Sequence, residues 1–257
     1  MQRFEEKVVV VAGGAAGTGA ETARWLAREG AQVVIGDINL EGAETTAAGI
    51  VEAGGTAIPA QFDLTDEASV AKLMQVAVDT YGGLDALFNN GADLRNETVK
   101  ADADALSIDI DHWDYILQVD LRGYLFACRH AIPHMLRRGG GAIVCASSDA
   151  PFALHPTNVA YQAAKLGVVA LVRHVVARWG KEGIRCNGVS PGPIATETWL
   201  RTIRDVGVDP DQVRATSPSG RLGEPADIAG TVAFLLSDDA AGINAQIIHV
   251  NGGRVVR

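Results

Sequence analysis

The amino-terminal stretch of the chain constrains its fold more than any other feature. Residues 7–12, Lys-Val-Val-Val-Val-Ala, form a short apolar run that leads directly into a turn, residues 13–19, with four glycines. Such a run is typical of a central strand in a parallel sheet that is covered on both faces. Helical spacing of apolar residues begins at Ala20. The pattern predicts a strand, a glycine turn whose backbone can approach a pyrophosphate, and a helix, with a plain flexible loop as the alternative for the turn.

The second predicted strand ends in an acidic residue. It covers residues 32–36 and is followed by Asp37, about 20 residues beyond the glycine turn. A carboxylate at this position can accept hydrogen bonds from the ribose hydroxyls of adenosine, and it repels a 2′-phosphate. No Arg or Lys occupies the turn or directly follows Asp37. These residues favour NAD over NADP as the cofactor. The alternative interpretation is that Asp37 only begins a loop and binds no ligand.

The rest of the chain alternates between predicted strands and helices, without an internal repeat or a linker-like segment. This alternation predicts a parallel sheet with helices on both faces, and one domain over residues 1–257. A lid over the site is expected at residues 193–219. Further predicted strands cover residues 56–62, an edge strand because of Pro59, and 84–88, 142–146, 184–189 and 246–250. Predicted helices cover residues 40–53, 67–81, 112–138 with a kink at Pro133, 159–179 and 225–236.

Three side chains in the middle of the chain suggest proton transfer. Tyr161 and Lys165 stand four residues apart in a helical pattern, so they project from one face one turn apart. A nearby ammonium favours the phenolate and prepares a tyrosine for general acid/base work. Ser148 follows a predicted strand, where its hydroxyl can donate to a substrate oxygen. Because Tyr–Lys pairs are common on helices, the interpretation depends on the glycine turn and Asp37 as well.

Composition excludes several classes of function. Apolar residues make up 47% and charged residues 21% of the chain, and the formal net charge of −9 disfavours binding to nucleic acids or anionic membranes. No apolar run reaches the roughly 18 residues of a membrane span, and a cytoplasmic location is expected. Cys128, Cys145 and Cys186 lie far apart without metal-ligand spacing. Buried free thiols and no metal site are therefore expected.

Six motifs follow one another in order: the glycine turn, Asp37, Asn89-Asn90, Ser148, Tyr161-x-x-x-Lys165 and Pro191-Gly192. In this order they resemble the short-chain dehydrogenase/reductase family over essentially the whole chain. The resemblance implies a Rossmann-type, doubly wound α/β fold with seven mainly parallel strands in the order 3-2-1-4-5-6-7. It also implies hydride exchange between a nicotinamide cofactor and an alcohol/carbonyl pair, and dimers or, as the first expectation, homotetramers. The expected cofactor-binding residues are Gly13, Ala16, Gly17, Thr18, Gly19, Asp37, Ile38, Asp63, Leu64, Asn90, Gly91, Tyr161, Lys165, Pro191, Gly192, Ile194 and Thr196.

The resemblance also implies roles for the site residues and exposes departures from the family. Ser148 would orient the substrate, Tyr161 transfer the proton, and Lys165 bind the nicotinamide ribose and lower the tyrosine pKa. The family's catalytic Asn falls at Asp120, for which we expect retained activity with an altered pH dependence. The family's Asn-Asn-Ala-Gly is permuted to Asn-Asn-Gly-Ala at residues 89–92, which puts fine cofactor geometry in doubt more than the reaction class.

The sequence therefore predicts an NAD-dependent oxidoreductase for a secondary alcohol or ketone of largely apolar character. The polar side chains near its expected pocket are Arg95 and His155, and for His155 a plain loop histidine is the favoured interpretation. The expected apolar lining is Leu94, Ala150, Phe152, Leu154, Trp199 and Ile203. An NADPH-dependent acyl-carrier ketoreductase is one alternative, with an acidic partner docked on Arg129, Arg137 and Arg138. A catalytically weakened NAD-binding sensor is another, suggested by Asp120.

Overall fold

A single seven-stranded sheet forms the centre of the molecule. The computed structural model describes residues 2–205 and 207–256; residue 206, inside the expected lid, and the two terminal residues lie outside this description. All neighbouring strands run parallel in the order β3-β2-β1-β4-β5-β6-β7, as expected. The strands are β1 (Val8–Ala12), β2 (Gln32–Asp37), β3 (Thr56–Gln61), β4 (Ala86–Asn89), β5 (Gly141–Ala146), β6 (Ile184–Pro191) and β7 (Ile247–Val250).

Helices connect the strands and cover both faces of the sheet. They are α1 (Gly17–Arg28), α2 (Leu40–Glu52), α3 (Glu67–Tyr81), α4 (Asn96–Ala101), α5 (Ile110–Leu117), α6 (Gly123–Arg137), α7 (Val159–Trp179), α8 (Glu197–Asp205), α9 (Pro210–Ala215) and α10 (Pro225–Leu236). The apolar residues of α1, α2 and α10 form the core on one face, and those of α3, α6 and α7 form the core on the other. The doubly wound architecture predicted from the sequence is confirmed.

Strand β1 shows why its sequence is an unbroken apolar run. Val9 and Val11 belong to one core, whereas Val8 and Val10 belong to the other. Since successive side chains of a strand point to opposite faces, a central strand covered on both faces must be apolar at every position. Strand β3, which contains Pro59, lies at the edge of the sheet as predicted.

The long helix predicted over residues 112–138 differs from the prediction. It is divided into α5 and α6 by a π-helical segment, Gln118–Arg122, and α6 continues through Pro133 to its end. The irregular geometry thus lies at Asp120 and not at the proline. Gly123 follows the π-helical segment, and a Cβ atom there would lie 2.7 Å from the Cβ of Leu64. The π-helical segment is therefore followed by close packing of the helix backbone against Leu64.

The parallel arrangement brings the candidate site residues to one edge of the sheet. Asp37 ends β2, Asn89 ends β4, Ser148 follows β5 and Pro191 ends β6. Because all strands run the same way, these carboxyl ends lie at the same edge, where open α/β sheets bind ligands. Helices α8 and α9 occupy much of the expected lid.

One helical stretch, Val159–Glu182, is long and apolar enough to cross a membrane by length and composition alone. It contains α7, whose Ala164, Val168 and Val172 are buried and whose residues pack against β6. A buried core helix of a sheet protein can have the same length and composition. Because α7 packs against β6, it is such a core helix.

Candidate active site

The glycine turn has a backbone conformation and close backbone contacts that residues with a Cβ atom could not adopt. Gly13 and Gly17 have φ values of 92° and 57°, in the left-handed region. A Cβ atom on Gly13 would lie 2.6 Å from the Cα of Gly91, and one on Gly19 would lie 1.9 Å from the carbonyl oxygen of Gly13. The turn therefore requires glycine, both for its own path and for the close contact with the loop after β4.

Two polar side chains hold this turn in place. Asp37 accepts hydrogen bonds from the backbone N–H of Ala15 at 2.9 Å and of Asn39 at 3.0 Å. The amide of Asn90 donates to the carbonyl oxygen of Gly13 at 2.9 Å, and its oxygen accepts from the hydroxyl of Thr18 at 3.2 Å. The amide of Asn90 thus ties the loop after β4 to the glycine turn after β1.

The turn fits the pyrophosphate of a nicotinamide dinucleotide. Helix α1 begins at Gly17 with no side-chain cap and no acidic residue in its first turn, which leaves backbone N–H groups and the positive end of the helix dipole for an anion. A Cβ atom on Gly17 would lie 3.1 Å from the Cγ2 of Thr196, so the loop after β6 faces the turn. Thr196 also accepts the N–H of Trp199 and caps α8.

The residues expected around the adenine and the cofactor backbone take different positions. Ile38 is 66% exposed beside Asp37, whereas Leu64 and Ile194 are buried and can offer only their backbone to a ligand. Asp63 accepts hydrogen bonds from the N–H and the hydroxyl of Thr65, both at 2.8 Å, which is the Asx turn that competes with a ligand role. Its second carboxylate oxygen remains available to a cofactor.

Ser148, Tyr161 and Lys165 come together beside this edge of the sheet. The hydroxyl of Ser148 lies near Tyr161 and lowers the pKa of its phenol, and it accepts the N–H of Ala150 at 3.1 Å. The neighbouring Ser147 donates to the carbonyl oxygen of Lys165 at 2.8 Å and so ties the end of β5 to α7. The Nζ of Lys165 lies 5.6 Å from the ring centroid of Tyr161.

Lys165 is buried in a cage that contains a second tyrosine. The residue is 1% exposed, and its Nζ lies 3.5 Å from the Oδ1 of Asp120. The same Nζ donates to the hydroxyl of Tyr124 at 3.2 Å and lies 4.6 Å from the centroid of that ring. Among the described residues, neither carboxylate oxygen of the fully buried Asp120 has a hydrogen-bond partner.

This cage changes the expected proton chemistry. Burial raises the pKa of the Asp120 carboxyl to about 6, although the charge of Lys165 acts in the opposite direction. Desolvation raises the pKa of Tyr161, the negative charge of Asp120 raises it further, and the hydroxyl of Ser148 lowers it. For these side chains alone the pKa of Tyr161 is raised, mainly by burial and then by the charge of Asp120. The lowering of this pKa by Lys165 stays a prediction.

Sequence reasoning missed two residues of the site. Tyr124 stands four residues after Asp120 in a helical region, and this spacing could have revealed it. Asp102 accepts hydrogen bonds from the backbone N–H groups of Ala160 at 3.0 Å and Tyr161 at 2.8 Å. No local pattern links Asp102 to α7, because the contact spans 59 residues of chain.

The expected substrate pocket is only partly assembled from the predicted residues. Ile203 is buried and Phe152 and Trp199 are partly buried, but Leu154 is fully exposed. Arg95, an expected polar anchor, donates two side-chain hydrogen bonds to Asp93 and is already paired. His155, the other, lies in an exposed loop.

The short helix α4 contacts the lid. The hydroxyl of Thr202 in α8 donates to the side-chain oxygen of Asn96 at 2.8 Å, and the amide of Asn96 donates to Asp205. These contacts tie α4 to α8.

The three cysteines are buried free thiols, as predicted. Over residues 2–205 and 207–256, no three His, Cys, Asp or Glu side chains are grouped in a way that could hold a metal ion.

Comparisons with known proteins agree with this geometry. A family model described as enoyl-(acyl carrier protein) reductase matches residues 13–254. Cis-4-hydroxycyclohexanecarboxylate dehydrogenase of Sinomonas cyclohexanicum is 39% identical over 252 residues, which cover 98% of each chain. The 7alpha-hydroxysteroid dehydrogenase of Bacteroides fragilis is 34% identical over 256 residues, 100% of this chain and 97% of the relative.

The fold has a counterpart among solved structures. The crystal structure of levodione reductase superimposes with a TM-score of 0.90 at 31% identity, and the match covers 98% of both chains. Similarity of this extent covers the glycine turn, the Ser-Tyr-Lys cluster and the loops between them. The chain belongs to the short-chain dehydrogenase/reductase family, oxidoreductases that act on alcohol and ketone groups.

Proposed function

We propose that the chain is an NAD(H)-dependent dehydrogenase/reductase of secondary alcohols and ketones, with Tyr161 as the general acid/base. The observation that carries this proposal is the convergence of Ser148, Tyr161 and Lys165 at the sheet edge that also holds the glycine turn. A hydroxyl, a phenol and a nearby ammonium supply the groups that alcohol oxidation requires.

Each of these side chains has a defined task in the reaction. The hydroxyl of Ser148 donates a hydrogen bond to the substrate oxygen. In oxidation the oxygen of Tyr161 takes the hydroxyl proton of the alcohol, and in reduction it gives a proton to the carbonyl oxygen. The charge of Lys165 favours the phenolate, and that of Asp120 opposes it. A bound nicotinamide ring supplies the chemistry that accepts or donates the hydride.

The glycine turn, the loop after β4 and the loop after β6 would hold the cofactor. NAD is favoured because the carboxylate of Asp37 ends β2 beside the turn, where a 2′-phosphate would meet negative charge. No Arg or Lys follows directly at residues 38–41 to offset that charge.

The substrate is proposed to be a secondary alcohol or ketone of moderate size and largely apolar character. Phe152, Trp199 and Ile203 supply apolar surface near the site. The names of the relatives point to cyclic alcohols and ketones, since cis-4-hydroxycyclohexanecarboxylate and a 7alpha-hydroxysteroid are both ring alcohols.

The test measures NADH formation with purified protein over secondary alcohols, cyclic diols, sugars and hydroxysteroids, including cis-4-hydroxycyclohexanecarboxylate. Each alcohol is offered with NAD⁺ and, in parallel, with NADP⁺. We expect turnover with NAD⁺ on ring alcohols, and we expect Asp37→Ala to improve the use of NADP⁺ by about tenfold or more, because like charges placed against each other cost several kcal/mol. Wild-type turnover with NADP⁺ only would contradict the cofactor assignment.

The role of Tyr161 is tested by Tyr161→Phe, with Tyr81→Phe at the end of α3 as the matched control. We expect turnover to fall by about a hundredfold or more in the first variant, the scale of general acid/base catalysis, and to stay at wild-type level in the second. Binding of NADH should survive in both. Equal turnover in wild type and Tyr161→Phe would exclude the proposed mechanism.

The two alternative functions receive less support. Arg129 lies 3.0 Å from Glu67, and Arg138 forms two hydrogen bonds with Asp85, so two of the three arginines proposed to dock an acidic acyl carrier are already paired. A sensor without catalysis is opposed by the intact contact between Ser148 and Tyr161.

A homotetramer or dimer in the cytoplasm completes the proposal. Leu125 on α6 and Leu166 on α7 are 41% and 49% exposed on neighbouring helices, a surface suited to a second copy. The buried free thiols fit a reducing compartment.

A further inference from the structure

Helix α7 carries Tyr161 in its first turn but has no cap of its own. The first backbone N–H groups of a helix have no partner within it. The residue before α7, Asn158, has a φ of 62° and makes no side-chain capping bond. The position of Tyr161 therefore depends on whatever satisfies these groups from outside the helix.

A distant acidic residue satisfies them. Asp102, 4% exposed, accepts the N–H of Ala160 with Oδ1 at 3.0 Å and the N–H of Tyr161 with Oδ2 at 2.8 Å. Its backbone carbonyl accepts the N–H of Asn158 at 2.9 Å. One residue thus binds three N–H groups around the helix start, and both of its carboxylate oxygens are used.

We infer that Asp102 is a positioning residue for proton transfer: its carboxylate fixes the backbone of Tyr161 so that the phenol stays in contact with Ser148. The inference rests on the proposed role of Tyr161. The N–H of Tyr161 is thus held by Asp102, and its phenol lies near Ser148. A displacement of about 1 Å at a reacting group can lower the rate about a hundredfold.

Asp102 also connects the start of α7 to the expected lid, through α4. Asp102 directly follows α4, and α4 begins at Asn96, which receives the hydroxyl of Thr202 in the lid at 2.8 Å. The lid, α4 and the start of α7 therefore form a continuous series of contacts.

The test compares Asp102→Ala and Asp102→Asn with the control Asp104→Ala. Asp104 is an exposed acid two residues away that accepts the N–H groups of Leu106 and Ser107 in a local turn. The control therefore removes a similar cap without touching α7. Steady-state kinetics use NAD⁺ and the best alcohol of the panel above, and hydrogen exchange follows the amide of Tyr161.

In Asp102→Ala we expect kcat to fall about ten- to a hundredfold while the KM values for NAD⁺ and alcohol stay within about twofold, because binding surfaces are retained and only the reacting group moves. Asp102→Asn keeps one acceptor oxygen, so its kcat should lie between those of Asp102→Ala and the wild type. The amide of Tyr161 should exchange faster in both variants. Asp104→Ala should match the wild type in every measurement.

The inference is overturned if Asp102→Ala keeps the wild-type kcat, if its KM for NAD⁺ rises as much as its kcat falls, or if Asp104→Ala shows the same loss. Should Asp102→Ala fail to fold, Asp102→Asn decides by the same criteria. Tyr161→Phe is measured in parallel. If it turns over like the wild type, the proposed mechanism fails and this inference fails with it; if it is inactive while Asp102→Ala is not, only the inference fails.

Discussion

Asp120 places a buried carboxylate beside the candidate catalytic lysine. Its carboxyl is fully buried, faces the ammonium of Lys165 at 3.5 Å, and has a pKa raised to about 6 by burial. It is therefore largely charged above pH 6 and largely neutral below. In its charged form it pairs with Lys165 and raises the pKa of Tyr161. The proton chemistry of the site thus has a second titrating group that an Asn would not provide.

Asp120→Asn should change the pH dependence of alcohol oxidation. Oxidation needs the ionised form of Tyr161, and removing the carboxylate lowers the pKa of that phenol, so the rise of kcat with pH should move to lower pH by roughly one unit. An inflection of the wild-type profile near pH 6 should disappear.

The measurement is kcat against pH for wild type, Asp120→Asn and the control Asp114→Asn, whose carboxylate is exposed on α5. The control should follow the wild-type profile. A profile for Asp120→Asn that coincides with that of the wild type would show that the carboxylate does not influence Tyr161.

The glycine turn between β1 and α1 shows how an element can depend on the absence of a side chain. Glycine is needed at Gly19 because a Cβ atom would lie 1.9 Å from the carbonyl oxygen of Gly13. Gly49, in the interior of α2, is exposed, and a Cβ atom there would meet no atom outside its own helix within 4 Å. The two glycines should therefore affect stability in opposite ways.

Gly19→Ala and Gly49→Ala should act in opposite directions. The first should abolish NADH binding and lower the melting temperature, because backbone atoms must move to admit the methyl group. The second should raise the free energy of unfolding by about 0.5–1 kcal/mol, the usual advantage of Ala over Gly inside a helix. Thermal unfolding and NADH fluorescence titration measure both. NADH binding by Gly19→Ala at wild-type affinity would contradict the geometry of the turn.

The lid is tied to the rest of the protein by the chain segment after β7. Arg254 donates to the hydroxyl of Thr216 at 3.0 Å, and its Nε lies 3.7 Å from Asp149, the neighbour of Ser148. The N–H of Ser219 also donates to the carbonyl oxygen of Gly252 at 3.0 Å. Arg254 thus bridges the lid and the loop that carries the candidate substrate-orienting serine.

Arg254→Gln should raise the KM for the alcohol about fivefold and make the lid more sensitive to limited proteolysis. The loss of one hydrogen-bonded interaction costs about 1 kcal/mol, which corresponds to a change of about fivefold. Arg214→Gln, which removes only an exposed pair with Asp211 on α9, is the control. Equal KM values and equal cleavage for both variants would mean that Arg254 does not hold the lid.

At the scale of the whole molecule, the exposed side of α6 and α7 predicts self-association. Leu125→Asp and Leu166→Asp should each convert the oligomer into smaller species, because a buried charge without a partner is costly in an interface. Val51→Asp, at a 55% exposed position on α2, is the control. Light scattering after size-exclusion chromatography measures the mass. A monomeric wild type, or variants with its full oligomeric mass, would contradict the prediction.

The sequence by itself determined the parts of this protein that depend on local patterns. Local patterns predicted strand β1, the glycine turn, the carboxylate of Asp37 and the shared helix face of Tyr161 and Lys165. They could do so because strand and helix periods and backbone freedom act over a few residues. The order of the sheet followed from the family resemblance and was confirmed.

Only the tertiary structure decided the surroundings of the reacting groups. Asp102 caps α7, and Arg254 contacts Asp149, so both contacts join residues far apart in sequence. The π-helical segment lies at Asp120, although Pro133 was the local signal for a kink. The pKa of Asp120 likewise depends on burial beside Lys165. Packing and desolvation arise from the whole fold, so no local pattern in the sequence contains them.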